Sequence, residues 1–410
     1  MNDQFKQILL CFILLLSIFY SVFTVVIWNG NEGTQKTTSY QSRYRENTSE
    51  RTQTYAYYNM TETISERTAL LKGVPIYLPR QMTSKSRSTS PSSHTDYKLR
   101  FLPNFKNPCW REILGNNVCT VCLPYYFLVG VEKCGTSDLH RRLLKHPLIS
   151  QNVKKETHWL ARLRFTTEGM QSLSAYLELF QDAVQKDITV IQQNGYYNSI
   201  FGDASNSTLW DNRYLLSNVF TANMTTPPYT NANVVYSLNP RTKIIVILRN
   251  PITRLYSSYL FFYKNTSIVD FHRRVDTSVQ IHNKCLKSNS LRYCAYFVHG
   301  QIRLHIGLYY IYIEDYLRVF PRQQIKVLRL ENFTRNIAGT MEEVFNFLEV
   351  GVPSEHIMQK ITAQEKTNTN TRRLRIVGKM FPRTWTTLYN FYKPYNDRLV
   401  ELLGNEYNYN

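Results

Sequence analysis

One short segment places a lysine, a glycine and two hydroxyl side chains between an apolar run and a helical run. Lys133, Gly135, Thr136 and Ser137 follow the apolar stretch that ends at Val131. Backbone N–H groups at a helix start point outward, and the helix dipole adds positive potential there. Because a glycine lets the backbone approach a ligand closely, the segment predicts a site for an anionic group. The alternative is a tight strand-to-helix turn capped by a hydroxyl side chain.

The order of these residues differs from that of a nucleotide-triphosphate P-loop. That motif, G-x-x-x-x-G-K-[ST], places its lysine after the second glycine. Here Lys133 precedes Gly135. A nucleotide kinase or another P-loop enzyme is therefore disfavoured.

A second group of residues is placed to bind an anion about 115 residues later. In IIVILRNPITRLYSSYLFF, Arg249 ends an apolar run and Ser257 follows eight residues later on a predicted helix. Pro251 suits the first turn of that helix. A guanidinium group matches the oxygens of a phosphate, so Arg249 and Ser257 are candidates to bind one phosphate. The alternative is a salt-bridged arginine beside a surface serine.

Both segments resemble motifs of the Golgi carbohydrate sulfotransferases, which use 3′-phosphoadenosine 5′-phosphosulfate (PAPS). VGVEKCGTSDLHRRLLKHP, residues 129–147, is similar to their 5′-phosphosulfate loop, and the 3′-phosphate motif R-[ND]-P-x-x-R-x-x-S-x-Y is complete from Arg249. The resemblance covers about residues 101–404. It implies that Arg249 and Ser257 bind the 3′-phosphate and that Arg254 is structural. It also implies that Lys133 contacts the bridging oxygen of the leaving phosphate, and that the 5′-phosphate is held by Gly135, Thr136 and Ser137.

The resemblance also implies a catalytic base. KKETHW, residues 154–159, resembles the K-E-x-H-[FW] segment of heparan and chondroitin sulfotransferases. By this resemblance Glu156 is the base, and Lys155 and His158 line the site. A base is needed because the acceptor hydroxyl must lose its proton as it attacks sulfur. The alternative is a solvated charged turn.

A third segment bears on the acceptor. GDASNSTLWDN, residues 202–212, stands where heparan sulfate enzymes carry E-K-[ST]-P-x-Y. It resembles the branch that transfers sulfate to C6 of N-acetylgalactosamine 4-sulfate, and residues 307–333 and 391–404 support the same branch. The implied function is sulfuryl transfer from PAPS to that carbon in chondroitin or dermatan sulfate. A heparan sulfate O-sulfotransferase and a catalytically silent binder of sulfated glycans are the alternatives.

Two further groups of residues are candidates for the site. Asp203 and Ser205 are predicted to line the acceptor or PAPS site, with helix capping as the alternative. TNTNTRR, residues 367–373, resembles the late basic loop that closes over PAPS in the family. Arg372 or Arg373 is predicted to contact PAPS, and a solvated charged loop is the alternative.

These residues need a framework that brings strand ends together. Apolar runs predict buried strands at 125–131, 243–248 and 325–330, and each is followed by a helical pattern. This order predicts an α/β fold with a parallel sheet and helices on both faces; with the resemblance, it becomes a P-loop-like sulfotransferase fold. The predicted helices cover residues 138–145, 251–264, 302–320, 341–348 and 386–403.

The amino-terminal part of the chain has a different composition from the predicted α/β domain. Ile8 to Ile27 is 20 residues without a charge or a proline, long enough for a transmembrane helix. We interpret residues 1–7 as a cytoplasmic tail, 8–28 as a signal anchor, 29–96 as a disordered stem and 97–410 as a lumenal sulfotransferase domain. With the resemblance, this predicts a single-pass type II Golgi membrane protein. A cleaved signal peptide is the alternative.

The net charge agrees with a glycosaminoglycan partner, and the glycosylation sequons agree with a lumenal domain. The net charge of +19 favours polyanions, and among these we predict a sulfated glycosaminoglycan rather than nucleic acid. The oligomeric state is left open. Six N-x-[ST] sequons follow the predicted anchor: Asn47, Asn59, Asn206, Asn223, Asn265 and Asn332.

The six cysteines after Cys11 permit disulfides in an oxidising lumen. Cys285 and Cys294 form the favoured pair, and Cys109 with Cys119 or Cys122 is the second candidate. Cys119-x-x-Cys122 has no second pair of zinc ligands at a suitable spacing. We therefore predict no metal.

Overall fold

The structure, a computed structural model, describes residues 101–114, 117–166, 169–367 and 371–410. The predicted cytoplasmic tail, anchor and stem lie outside these residues. Among the helices that are described, none has the length and apolar character that crossing a bilayer requires.

The described part of the chain alternates strands and helices, as the sequence predicts. The strands are β1 Cys109–Leu114, β2 Asn117–Cys122, β3 Tyr126–Gly130, β4 Phe165–Thr166, β5 Gly169–Met170, β6 Gly202–Asp203, β7 Lys243–Leu248 and β8 Ile325–Arg329. The α-helices are α1 Thr136–Leu143, α2 Leu173–Glu178, α3 Gln181–Ala183, α4 Arg213–Leu216, α5 Asn231–Leu238, α6 Pro251–Phe262, α7 Ile268–Leu286, α8 Leu291–Phe297, α9 Tyr309–Leu317, α10 Leu330–Arg335, α11 Ile337–Phe347, α12 Glu355–Thr362, α13 Thr371–Val377 and α14 Pro382–Leu403. Two π-helical turns cover Trp159–Leu163 and Val184–Ile188.

A four-stranded parallel sheet forms the centre, in the order β6-β3-β7-β8. Residues 244–248 of β7 are fully buried because β7 has a strand on each side and packed helices around it. The structure confirms the predicted parallel sheet. The short strand β6 was not predicted, since two residues give no periodic pattern.

Parallel pairing fixes where the candidate residues lie. β3 pairs with β7 through Phe127 opposite Ile244 and Leu128 opposite Ile245. Both strands therefore end at the same edge of the sheet, and α1 and α6 begin just beyond it. This edge carries Lys133 and Arg249. It is the edge at which ligands bind in open α/β sheets.

One predicted helix is shorter in the structure. The apolar run from Ile302 to Phe320 predicts a continuous helix, but α9 covers only Tyr309–Leu317, after a short 3₁₀ turn at His305–Gly307. The break lies where Gly307 packs against the Tyr392 ring, so closely that a Cβ at position 307 would lie 2.7 Å from that ring. The Tyr392 hydroxyl donates to the Leu304 carbonyl at 2.8 Å. Tertiary packing therefore overrides the local apolar pattern.

The described residues contain two disulfides. Cys285–Cys294 confirms the favoured pair and links the end of α7 to α8. Cys109–Cys122 joins the first residue of β1 to the last residue of β2, which settles the choice between the two candidate partners of Cys109.

Candidate functional site

The phosphate loop, residues 131–137, connects β3 to α1 without a side-chain cap. Gly135 is the N-cap residue, with φ of 92°, and within the described residues no side chain accepts from the first turn of α1. The alternative of a hydroxyl-capped turn is therefore wrong. In the part of the chain that the structure describes, the N–H groups of Gly135, Thr136 and Ser137 have no backbone acceptor. They are available to an anion at the helix start.

Gly135 is required by packing as well as by its backbone angle. A Cβ at this position would lie 2.7 Å from Leu330 Cδ1 at the start of α10. The positive φ of 92° is also unfavourable for residues with a Cβ. The glycine thus lets the loop lie against the end of β8.

Glu132 and Lys133 have different surroundings. The Glu132 side chain is buried and accepts a hydrogen bond from Ser258 Oγ at 2.9 Å. It also forms an ion pair with Arg303. The buried Arg254 lies 3.7 Å from the same carboxylate, in agreement with its predicted structural role. Lys133 has a positive φ of 62°, and its ammonium lies over the Phe261 ring, 3.7 Å from the centroid. Glu132 therefore anchors the phosphate loop to Ser258, Arg254 and Arg303. The Lys133 side chain, in contrast, is only half-buried.

The Lys133 ammonium belongs to a group of interacting charges. Burial lowers its pKa, the Glu132 carboxylate opposes this, and Arg249 lowers it further, so that the pKa is about 8. Glu156 is also close enough to raise it. Arg249 and Glu156 are thus both within electrostatic range of Lys133, although the three residues come from separate segments.

Arg249 follows β7 and lies against both the phosphate loop and α6. Its Nη1 donates to the Lys133 carbonyl at 3.3 Å, and its Nε donates to Thr253 Oγ1 at 3.0 Å. Thr253 and Ser257 are four residues apart on α6, so they share one face of that helix. The structure therefore brings Arg249 to the phosphate loop and to the helix face that carries Ser257. Thr253 was missed, because a threonine inside a helix gives no distinctive signal.

The predicted catalytic segment, residues 155–158, crosses close to this edge. Lys155 Nζ forms an ion pair with Glu156, and His158 Nε2 lies 3.7 Å from Glu156 Oε2. Burial by itself raises the pKa of Glu156, but the His158 and Lys155 side chains outweigh it and lower this pKa to about 2. Glu156 is therefore ionised at neutral pH.

A second segment, residues 203–207, holds the catalytic segment in place, and we call it the support segment. The Ala204 carbonyl accepts from the Glu156 N–H at 3.2 Å, and Ser205 Oγ accepts from the His158 N–H at 3.0 Å. The Ser207 hydroxyl lies 2.7 Å from His158 Nδ1. Asn206 Nδ2 donates to Glu156 Oε1 at 2.8 Å. Four consecutive residues thus fix the backbone and side chains of the predicted base.

Asp203 and Ser205 belong to this hydrogen-bonded arrangement. Both are buried, at 1% and 2% exposed. Asp203 accepts hydrogen bonds from Tyr176 at 2.8 Å and from Ser205 at 2.6 Å, and Thr157 donates to it at 3.3 Å. Their predicted place in the lining of the acceptor or PAPS site stays a prediction. They lie behind the catalytic segment and position it.

The late basic loop is partly described. Arg373 bonds backbone carbonyls at the end of α6, including that of Tyr263 at 3.0 Å. These bonds cap the end of α6, and the predicted contact of Arg373 with PAPS stays a prediction. Arg372 is exposed on α13, and its predicted contact stays a prediction. The residues between 367 and 371 lie outside the described part.

A buried arginine lies behind the phosphate loop. Arg142, on α1, has no exposed surface and pairs with Asp138 at 3.1 Å. Its guanidinium also donates to the carbonyls of Ile361 and Gln364, the latter at 2.6 Å. It therefore joins α1 to the end of α12 and to the start of the late basic loop.

The sequons occupy different environments. Asn223, Asn265 and Asn332 are exposed, whereas Asn206 is half-buried in the site. Asn47 and Asn59 lie outside the described residues. Among the residues that are described, no three His, Cys, Asp or Glu side chains are grouped so as to hold a metal ion.

Residues 123–380 match the sulfotransferase domain family. The chain belongs to this family. The matched range contains the phosphate loop, Arg249, the catalytic segment and the support segment. The same range contains all four strands of the central parallel sheet.

Curated proteins similar to this chain are named as sulfotransferases of carbohydrates or of heparan sulfate. Carbohydrate sulfotransferase 15 of Homo sapiens is 33% identical over 365 residues, which cover 75% of this chain and 65% of that protein. The Rattus norvegicus protein of the same name is 34% identical over 339 residues, covering 77% of this chain and 60% of that protein. Heparan sulfate glucosamine 3-O-sulfotransferase 3A1 of Mus musculus is 22% identical over 299 residues, covering 70% and 64%. The chain thus spans 60 to 65% of the length of these relatives.

Proposed function

We propose that this protein is a PAPS-dependent carbohydrate O-sulfotransferase. The observation that carries the proposal is the meeting of three segments at one sheet edge: the phosphate loop, Arg249 and the catalytic segment. The Arg249 guanidinium is within hydrogen-bonding distance of the Lys133 carbonyl, and Glu156 is within electrostatic range of Lys133. A binding site for the donor anion and a base for the acceptor hydroxyl therefore lie side by side.

The residues of the donor side fit an adenosine bisphosphate group. The uncapped start of α1 offers N–H donors to one phosphate, and Lys133 adds a positive charge beside the bond that breaks. Arg249, with Thr253 and Ser257 on the adjacent helix face, offers a separate set of donors to the other phosphate. When bound, PAPS supplies the sulfuryl group and leaves as PAP. Lys133 stabilises the negative charge that develops on the departing phosphate.

Glu156 is the proposed base. The acceptor oxygen forms a bond to sulfur, the bond between sulfur and the phosphate oxygen breaks, and the hydroxyl proton passes to the Glu156 carboxylate. The pKa of about 2 keeps this carboxylate ionised in the resting enzyme. A negative sulfuryl group that draws the Lys155 ammonium towards itself raises this pKa, which makes the base stronger when substrate is bound.

For the acceptor we propose C6 of N-acetylgalactosamine 4-sulfate in chondroitin or dermatan sulfate. The support comes from the GDASNSTLWDN segment and from the relatives: identity is 33% to carbohydrate sulfotransferase 15 and 22% to the heparan sulfate 3-O-sulfotransferase. The net charge of +19 suits a polyanionic chain. Only the support segment, among the regions that carry the branch resemblance, lies directly at the candidate base.

The proposal is tested by an acceptor screen with ³⁵S-labelled PAPS. Purified protein is incubated with chondroitin 4-sulfate, chondroitin 6-sulfate, dermatan sulfate and heparan sulfate, and the products are digested to disaccharides. We expect label on C6 of 4-sulfated N-acetylgalactosamine, and transfer by Glu156→Gln reduced by about 10²-fold or more. Label only on heparan sulfate would overturn the acceptor and keep the reaction. Binding of glycan without any transfer would instead support a silent sulfated-glycan-binding protein.

We further propose that the enzyme is a single-pass type II Golgi membrane protein with a lumenal catalytic domain. The supporting features are the 20-residue apolar run, two disulfides and three exposed sequons. In permeabilised cells, the catalytic domain should be protected from protease until detergent opens the Golgi. Digestion before detergent treatment would contradict this orientation.

A further inference from the structure

Asn206 combines two features that conflict with each other. It is the first residue of an N-x-[ST] sequon, so its Nδ2 atom is the potential attachment point of a glycan. In the structure the same atom donates to Glu156 Oε1 at 2.8 Å. Asn206 is half-buried, whereas Asn223, Asn265 and Asn332 are exposed. The Asn206 amide therefore belongs to the site.

The backbone at Asn206 is held firmly. Its carbonyl oxygen lies where a Cβ on Gly130 would approach to 3.2 Å, so the chain packs directly on the end of β3. The Leu209 N–H donates to the Val129 carbonyl at 3.0 Å, which ties the following turn to the same strand. The position of the amide is thus set by the sheet edge that carries the phosphate loop.

The contact has a specific consequence for the Glu156 carboxylate. Lys155 and Asn206 share Oε1, while His158 lies 3.7 Å from Oε2. Lys155 is a flexible cation, whereas the amide is held by a rigid backbone. The amide can therefore keep the carboxylate oriented when Lys155 moves towards a substrate anion. This role rests on the proposed function of Glu156 as the base.

We propose that Asn206 is a positioning residue, whose unmodified side-chain amide holds Glu156 in place, and that this sequon carries no glycan in the active enzyme. A glycan on Nδ2 would place a bulky sugar between the support segment and the base. The other three described sequons remain available for glycosylation.

Thr208 provides a matched control. Its hydroxyl is buried and, within the described residues, has no hydrogen-bond partner. Thr208→Val therefore removes the sequon while it preserves both Asn206 and the shape of the site, at no cost in hydrogen bonds. Asn206→Leu removes the amide at similar volume, and Asn206→Asp replaces it with a second carboxylate beside Glu156.

The test uses the full chain, expressed in a secretory host, and has three measurements. Peptide mass spectrometry should find Asn206 without a glycan in the wild type. Thr208→Val should keep kcat within about two-fold, whereas Asn206→Leu should lower kcat about 10- to 100-fold, the range for a hydrogen bond to a charged group. KM for PAPS should stay within about two-fold in both, since neither substitution touches the donor side. For Asn206→Asp, the acidic limb of the kcat profile should move up by about one pH unit or more, because a like charge raises the pKa of a carboxyl group.

A readout without turnover separates this inference from the proposed function. Carbodiimide labels protonated carboxyl groups, and peptide mapping reports the labelled fraction of Glu156 at each pH. The midpoint should rise in Asn206→Leu and Asn206→Asp and stay unchanged in Thr208→Val. If no variant, including the wild type, transfers sulfate but these midpoints shift, the contact stands and the proposed function fails. A glycan on Asn206 of the active enzyme, or identical midpoints in all four proteins, would overturn the inference.

Discussion

The donor side and the catalytic side of the site are built in different ways. On the donor side, the backbone provides the arrangement: a strand ends, a glycine turns the chain, and α1 begins with unused N–H groups. On the catalytic side, Glu156 and His158 depend on hydrogen bonds with residues 47 to 50 positions later in the chain. The first is a local motif, and the second is assembled only by folding. Substitutions should therefore affect binding of PAPS on one side and the rate of transfer on the other.

The largest effect should come from the base itself. Glu156→Gln removes the proton acceptor but keeps the size of the side chain, and we expect kcat to fall about 10²- to 10⁴-fold. Binding of PAP, measured by calorimetry, should change little. A matching loss of PAP affinity would show that the two sides are not separable in this way.

Lys133→Ala should reduce transfer by about 10²- to 10³-fold, the usual range for loss of one charge-stabilising group. Unlike Glu156→Gln, it should also weaken binding of PAPS, because Lys133 lies on the donor side. Single-turnover kinetics with increasing PAPS would measure both effects. Lys264→Ala, which removes an exposed lysine just after α6, serves as the control for loss of charge alone.

Gly135→Ala should raise KM for PAPS about ten-fold, with a smaller change in kcat. The added Cβ meets Leu330 Cδ1 at 2.7 Å, and the positive φ costs about 1–2 kcal/mol for a residue with a Cβ. In the double variant Gly135→Ala/Leu330→Ala the clash is removed and the backbone strain remains. Affinity should therefore recover only in part. Full recovery would mean that the backbone angle is unimportant.

Asp203→Asn should act through position and stability rather than through contact with substrate. It disturbs a buried carboxylate that accepts from Tyr176 and Ser205, and we expect the free energy of unfolding to fall by about 1–3 kcal/mol. Tyr176→Phe, which removes one donor, should cost less. Chemical denaturation measures both variants. A large rise in KM for the acceptor, with unchanged stability, would support the acceptor-lining role that the sequence predicts.

The smallest expected effect is the pH dependence of the donor side. The ammonium form of Lys133 is the active form, and its pKa is lowered to about 8. Activity should be retained below this pH and decline as pH rises through it, to about half at pH 8 for kcat/KM of PAPS. Lys133→Arg keeps its charge at all accessible pH values, so any residual activity should lose this alkaline limb. An unchanged limb would assign it to another group.

The donor side could be predicted from sequence because its signals are local. Lys133, Gly135 and Arg249 stand at fixed distances from apolar strands, and parallel strands bring their ends together. The structural role of Glu132 was not predicted, because an acidic residue in a basic loop is expected to be exposed. In the structure it is buried and holds the loop in place.

The catalytic side was predicted only in part. KKETHW identifies Glu156 as a candidate and supplies Lys155 and His158 beside it, but the residues that hold this segment in place lie in the support segment. Asp203 and Ser205 are predicted to line the acceptor or PAPS site, and sequence alone does not show that both are buried and that Ser205 bonds to the catalytic segment. Asn206 is predicted only as a glycosylation sequon. Sequence alone does not show that its amide donates to Glu156. Arg372 or Arg373 is predicted to contact PAPS, and no sequence pattern shows that Arg373 caps the end of α6.

The buried Arg142 limits how far the phosphate loop can be treated as a portable module. Its guanidinium depends on carbonyls at Ile361 and Gln364, more than 200 residues later in the chain. A graft of residues 129–147 into another α/β protein would carry this cation into a core without those acceptors, where an unpaired charge is strongly unfavourable. Transplanting the motif therefore requires either the end of α12 as well or an apolar replacement for Arg142.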